Sequence, residues 1–314
     1  MGVWFWILIA LAAVLLLFVI PVLRMSFVLY TILLRRNKPD KWGRVCSFPE
    51  DPEYKRMYDI GLQWGEKYKD KKEPVQIKNG KYELFGEYFD FGADRAVIII
   101  AGRTECCYYS YYFAEPYRES GYNVLVIDNR AHGLSSGKIC SLGYKEYKDI
   151  IEWAKMLHEK GNKNVVLHGI CIGASTALFV MTAKNCPDYI TAMASDGMYV
   201  SFFESFKNHM TEKKKPNFPI TYGVMAHIFF FSGANAVTDG PLHRMPKMKK
   251  PILFIQSKED TYSLPELAKK LYAACPSENK KLVYFDHGAH SRVRINDEQG
   301  YDRTVKEFLQ TLED

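Results

Sequence analysis

The sequence predicts an α/β fold: a mostly parallel sheet, covered on both faces by helices, that follows one long apolar helix. Two observations carry the sheet. Runs such as "RAVIIIAG" (95–102), "YNVLVIDNR" (122–130) and "NVVLH" (164–168) are short, apolar and rich in Val and Ile, as strands buried on both faces of a parallel sheet are. Between them lie longer stretches with helical spacing, and strands alternating with helices build parallel units with crossovers. A third observation sets the N-terminus apart: residues 1–23, "MGVWFWILIALAAVLLLFVIPVL", hold no charged side chain.

In chain order the apolar run comes first. A helix of that length spans roughly 30–35 Å, the thickness of a bilayer core. A cleaved signal peptide needs a basic start, a shorter apolar core and a small-residue cleavage site. Here no Lys or Arg precedes the run and bulky residues follow it. Residues 1–34 are therefore expected to be a retained membrane anchor, with "MSFVLYTILL" carrying the helix into the interface. Arg35, Arg36, Lys38, Lys41 and Arg44 come next, opposed only by Asp40. Basic residues after a span place the following domain in the cytoplasm. Residues 35–74 read as a basic juxtamembrane linker and a leading helix (51–70), and residues 75–314 as the α/β domain.

That domain should open with two strands (75–92) around an Asn79-Gly80 turn, a strong hairpin signal. The strand 95–102, a helix over 108–120 ending at Gly121, and the strand 122–130 follow. A helix over 142–160, the strand 164–168, a helix to about residue 184 and the strand 189–195 come after these. Residues 197–248 break the alternation. They show no strand pattern, carry "SFFESF", "KKKPNFP" and "HIFFF", and are too long for an ordinary connection. We read them as a helical cap over the C-terminal edge of the sheet. Strands at 251–257 and 281–287, with a helix over 264–275 between them and a closing helix over 297–313, complete the domain.

Composition excludes some functions. The 314 residues are 47% hydrophobic and 25% charged with a net charge of +6, which suits a folded domain with an ordinary basic surface. No nucleic-acid-binding motif is present. Seven cysteines at irregular spacing, with no C-x-x-C pair, argue against a disulfide framework and for a reducing compartment.

The chemistry centres on "HGICIGAST" (168–176). Gly169, Gly173 and Ala174 are the small residues that a sharp strand-to-helix turn needs, and the residue at its tip, Cys171, stands where G-x-S-x-G has serine. After "PILFIQS" comes "KED", with Asp260; after "KLVYF" comes "DHGAHS", with His290. Each follows a strand at its C-terminal end, where open α/β sheets hold their sites. The chain order nucleophile, acid, histidine is that of a hydrolase elbow. Asp196, also at a strand end, is a weaker alternative acid. Asp128, Arg130 and His132 are read as loop braces, Ser175 and the pair Cys106 and Cys107 as packing, and the cap phenylalanines as cap core or acyl-pocket lining. Asp286, His287 and His290 are weak evidence for a metal, and neither metal nor organic cofactor is expected.

These segments together resemble the α/β-hydrolases, specifically a membrane-anchored bacterial group similar to serine aminopeptidase-like and acyl-esterase-like members. The resemblance covers about residues 75–312. "IIIAGRTE" stands where the family has a strand and its oxyanion loop, and "VLVIDNRAHGLSSG" matches the Asp-x-Arg-x-His-Gly-x-Ser segment. "HGICIGAST" is similar to the elbow, "PILFIQSKED" to the acid strand and "DHGAHS" to the histidine loop. Two departures stand out. Ala101-Gly102 replaces the family's His-Gly, and Cys171 replaces serine, a swap that dienelactone-hydrolase-like members share.

The resemblance implies a Cys171–His290–Asp260 triad on an α/β-hydrolase fold. The thiolate attacks a carbonyl carbon, His290 moves the proton, and Asp260 fixes the imidazole. The backbone N–H groups of Ile172 and Arg103 would hold the oxyanion. A small acyl ester or thioester is the expected substrate, with the bilayer as a partner through the N-terminal helix. A non-catalytic binding module of the same fold, and peptidase or acyltransferase chemistry on the same triad, stay open at this point.

Overall fold

A computed structural model describes residues 2–313. Eight strands form one sheet: β1 (Lys72–Asn79), β2 (Tyr82–Phe89), β3 (Arg95–Ile100), β4 (Asn123–Ile127), β5 (Asn164–Ile170), β6 (Ile190–Asp196), β7 (Ile252–Ser257) and β8 (Lys280–Phe285). Their spatial order is β1-β2-β4-β3-β5-β6-β7-β8. The β1–β2 hairpin joins the sheet antiparallel to β4, and every pairing from β4 through β8 is parallel. The helices are α1 (Val3–Leu34), α2 (Pro52–Lys67), α3 (Cys107–Tyr111), α4 (Glu115–Glu119), α5 (Tyr147–Glu159), α6 (Ile172–Met181), α7 (Phe202–Glu212), α8 (Ile220–Ser232), α9 (Pro241–Arg244), α10 (Pro265–Ala274), α11 (Val293–Asn296) and α12 (Glu298–Gln310).

The central strands show why their sequences are apolar without alternation. In β3, Val97 and Ile99 join one core cluster with Val124, Val126 and Val166. Ala96, Ile98 and Ile100 join the cluster on the opposite face, with Leu125, Ile127 and Leu167. Successive side chains point to opposite faces of a strand, so covering both faces requires apolar residues at every position.

Two helices differ from the sequence reading. The helix expected over 108–120 is two short ones, α3 and α4. Pro116 sits in the first turn of α4, and proline is tolerated only there, so one helix cannot run through it. The helix expected from 142 begins at Tyr147. Leu142 (φ 61°) and Gly143 (φ 90°) are left-handed, and the Glu146 carboxylate accepts the N–H groups of Ser141 (2.7 Å) and Gly143 (3.0 Å). That closed loop displaces the first turn.

Helix α1 has 32 residues with Pro21 inside it, about 48 Å at 1.5 Å per residue. Its mean hydropathy reaches 3.0 over 18 residues, none of them buried, so it is long and apolar enough to cross a membrane. Its last turns do something else. Ser26, Tyr30 and Leu34, four residues apart, are buried, and Tyr30 and Leu34 belong to the core cluster that contains Cys171.

The basic stretch beyond α1 packs against the domain. Arg36 N–H donates to Lys138 O (2.8 Å), and Cys140 N–H donates to Leu34 O (2.9 Å). The Lys41 ammonium donates to the carbonyls of Ile32 (2.7 Å) and Arg35 (2.6 Å) at the end of α1, where a cation meets both unpaired carbonyls and the negative end of the helix dipole. Trp42 stacks on His132, ring centres 4.5 Å apart. Arg44 bridges two buried carboxylates, Glu87 Oε1 at 2.7 Å and Asp128 Oδ2 at 2.8 Å.

Losing one partner of a buried ion pair leaves charges desolvated without compensation, which costs about 3–5 kcal/mol in fully buried cases. Arg44 is slightly exposed, so Arg44→Met should destabilise the protein by roughly 2–4 kcal/mol. A thermal melt of the full chain in detergent reads this as a lowered Tm. Arg44→Lys, which keeps the charge but not the two-pronged geometry, should fall between.

Candidate active site

Strand β5 and helix α6 meet at Cys171, which has φ 54° and ψ −112°. A non-glycine residue held there carries strain of order 1–3 kcal/mol, which the surroundings must impose. They do so through the backbone: Cys171 N–H donates to Asp196 O on the neighbouring strand (2.8 Å), and its carbonyl accepts Ala174 N–H (3.1 Å). Two glycines permit the bend. A Cβ on Gly169 would lie 2.4 Å from the backbone of Ala174, and one on Gly173 would lie 2.0 Å from Ile100 O. Cys171 is 9% exposed and caps the N-terminus of α6.

Asp260 and His290 reach the same place from the ends of β7 and β8. Asp260 is buried, and its Oδ1 accepts the N–H groups of Tyr262 (2.8 Å) and Ser263 (2.7 Å). Its Oδ2 lies 2.7 Å from His290 Nδ1. A carboxylate can only accept, so Nδ1 carries the hydrogen and Nε2 is left as the second functional nitrogen. Nε2 is buried, with Cys171 beside it and no other partner among the described residues. The neighbouring Cys171 is close enough for its charge to act on the ring. Burial pulls the imidazole pKa down, but Asp260 and then Cys171 outweigh it and hold His290 well above 6.5. Gly197 leaves room for this pair: a Cβ there would stand 3.1 Å from His290 Cε1 and 3.5 Å from Asp260 Oδ2.

Asp196 is not hydrogen-bonded to the histidine. It is buried, one carboxylate oxygen is unpaired, and the other accepts Tyr301 O–H (2.9 Å). Desolvation raises Asp196 to about 7. Tyr301 also meets His168 Nε2 (3.1 Å), and Tyr117 meets His168 Nδ1 (2.7 Å). Burial lowers His168 to about 3, so the ring is neutral. Since Tyr301 donates to Asp196, Nε2–H donates to Tyr301 and Nδ1 accepts from Tyr117. This chain ties the first residue of "HGICIGAST" to the floor of the site.

The oxyanion-loop candidates lie where β3 ends beside the elbow, Ile100 pairing with Gly169. Ile172 begins α6, and its N–H is one of those a helix leaves without an internal partner. Arg103 is on the loop after β3. Its carbonyl meets His132 Nε2 (2.6 Å), and its guanidinium donates to Leu33 O of α1 (3.0 Å).

Glu105 was not singled out from the sequence. Its carboxylate accepts Gly102 N–H (2.9 Å) and Tyr54 O–H (3.0 Å), so a side chain from within the loop does the holding. The signal available was an acid three residues after Gly102 in "AGRTE". Asp128 accepts from Cys107 N–H and Leu134 N–H, and Arg130 pairs with Asp149 at 2.7 Å; both brace loops. Burial pushes the Cys106 thiol up to about 12 and Cys107 well above its usual value, the opposite of what a reactive thiol needs. Asp286 pairs with Lys258 and His287 with Glu259. Among the described residues no cluster of three metal-ligating side chains occurs.

A strand-turn-helix elbow with a histidine and an acid on later strand ends defines the hydrolase class of α/β proteins. The chain belongs to the alpha/beta hydrolase fold family, which residues 95–217 match, and it is a hydrolase of that fold. An uncharacterized protein, YqkD, of Bacillus subtilis is 30% identical over 222 residues, 69% of this chain and 72% of its own. An uncharacterized membrane protein of Saccharomyces cerevisiae is 25% identical over 62% of each chain. Among solved structures, an esterase of Pyrococcus furiosus superposes with a TM-score of 0.67 at 25% identity, covering 79% of this chain and 93% of its own.

A histidine pKa raised by folding adds stability that is complete below the unfolded value of about 6.5 and is lost as pH rises through the folded value. The His290 ring signal in NMR should therefore titrate well above pH 6.5. The midpoint should fall in Cys171→Ala and fall further in Asp260→Asn.

Proposed function

We propose that this protein is a membrane-anchored hydrolase of carboxylic esters or thioesters that works through an acyl-enzyme on Cys171. The observation that carries the reading is the 2.7 Å contact of Asp260 with His290 Nδ1, which leaves the buried Nε2 to Cys171 beside it. A retired site has no use for an imidazole fixed by a buried carboxylate with its other nitrogen turned to Cys171.

The steps follow from these groups. His290 Nε2 holds the thiol proton, and the Cys171 sulfur attacks the carbonyl carbon. The carbonyl oxygen becomes an oxyanion that accepts from the N–H groups of Ile172 and Arg103, groups fixed before the charge develops. Collapse expels the alcohol or thiol, which takes the proton from His290. Water then attacks the thioester, giving a proton to Nε2, and the carboxylic acid leaves as the thiolate re-forms. Asp260 stabilises the imidazolium throughout without taking its proton. The esterase likeness supports ester substrates. The apolar α1 and the name of the yeast relative support a membrane location, and the basic residues after α1 support a cytoplasmic domain.

The test is turnover of short nitrophenyl esters and acyl thioesters by the full chain in detergent. Cys171→Ala and His290→Ala should each reduce kcat/KM by about a thousandfold or more, as removal of triad members does. Wild type no faster than Cys171→Ala on every substrate would overturn the reading. Glu105→Gln, which weakens the hold on Gly102, should lower kcat by roughly tenfold with KM little changed, since an oxyanion support acts in the transition state.

A further inference from the structure

We infer that the outward face of α8 lies in the bilayer beside α1, as a second membrane contact that brings acyl substrate to the site. Helix α8, "ITYGVMAHIFFFS", carries no acidic or strongly basic side chain, and its surface divides into three. Val224, Met225 and Ile228 are buried in the domain. A second face meets α1: a Cβ on Gly223 would touch Ser26 at 2.7 Å or less, His227 Nε2–H donates to Leu23 O (3.1 Å), and Phe231 stacks on Tyr30 at 5.3 Å.

The third face is apolar and, among the described residues, mostly uncovered, with Phe203 meeting the ring of Tyr222 at 5.5 Å. Tyr222, Phe229 and Phe230 lie on it at helical spacing, with Phe218 just before the helix; Phe218 is 76% exposed and Phe230 81%. Contiguous exposed aromatics of this kind mark an interaction surface. The occupant follows from continuity: α8 lies against residues 22–30, beside exposed apolar side chains of α1 such as Met25 and Val28, so its outward face extends that surface. Lys213, Lys214 and Lys215, all exposed, precede Phe218, an arrangement of aromatic and basic groups suited to an interface with anionic lipid.

The substrate consequence rests on the hydrolase reading above. The buried face of α8 shares its core cluster with Cys171, Tyr199 and Phe202. The helix that faces the bilayer on one side therefore belongs on its other side to the core that holds the nucleophile, and a membrane-borne acyl ester enters along it.

The experiment uses the full chain in nanodiscs of phosphatidylcholine and phosphatidylglycerol that contain a phospholipid with a diazirine on its acyl chain. After irradiation and digestion, mass spectrometry should find lipid adducts on peptides spanning 218–231 as well as on α1. Phe229→Glu/Phe230→Glu should lose the α8 adducts and keep those on α1. Adducts on α1 alone, or cross-links joining α8 of two chains in place of lipid adducts, overturn the proposal. This readout needs no turnover, so it is independent of the hydrolase reading. With turnover established, the double variant should hydrolyse a long-chain ester presented in the nanodisc about tenfold more slowly and a short soluble ester at the wild-type rate. An equal effect on both esters overturns delivery from the bilayer.

Discussion

The site depends on how closely the start of α6 approaches the end of β3. Gly173 lies against the carbonyl of Ile100, with no room for a methyl group, and Gly169 lies nearly as close to Ala174. That contact forces Cys171 into a positive φ, lifts its side chain off the sheet and brings the first N–H groups of α6 next to the loop that leaves β3. The proposed nucleophile and oxyanion donors are thus fixed by one packing constraint. The acid and histidine come from separate strands, and only the parallel register of β6, β7 and β8 delivers them to the same edge.

Much of this could be read from the sequence because the physics is local. The hairpin at Asn79-Gly80 and the strand β3 depend on turn chemistry and continuous apolar runs. The elbow, Asp260 and His290 depend on small residues and on position after strands. What escaped was long-range. Pro116 divides a helix that periodicity alone would have continued. Glu146 closes a loop through two backbone N–H groups, and Glu105 closes another through one. No period or motif announces a carboxylate that folds back on its own loop. Arg44 looked like one more membrane-flanking charge, and its partners, Glu87 and Asp128, lie 43 and 84 residues away.

Charge is handled differently at each buried position. Arg44 neutralises two carboxylates, Arg130 pairs with Asp149, and Asp260 is met by two backbone N–H groups and an imidazole. Asp196 has a single donor, and burial raises it toward neutrality. A single hydroxyl donor does not offset the desolvation of a buried carboxylate. Of the two acids near the nucleophile, Asp260 is the one held ready to face a cation.

The last three turns of α1 bear on how the protein can be handled. Tyr30 and Leu34 fill the core, Leu33 O accepts from Arg103, and Cys140 is hydrogen-bonded to Leu34. A chain cut after residue 34 to make it water-soluble would open a cavity in the core cluster that contains Cys171 and release the side chain of Arg103. The boundary that solubility suggests is not the boundary of the folded unit. A cut nearer residue 22 removes most of the exposed apolar turns and leaves the buried positions in place.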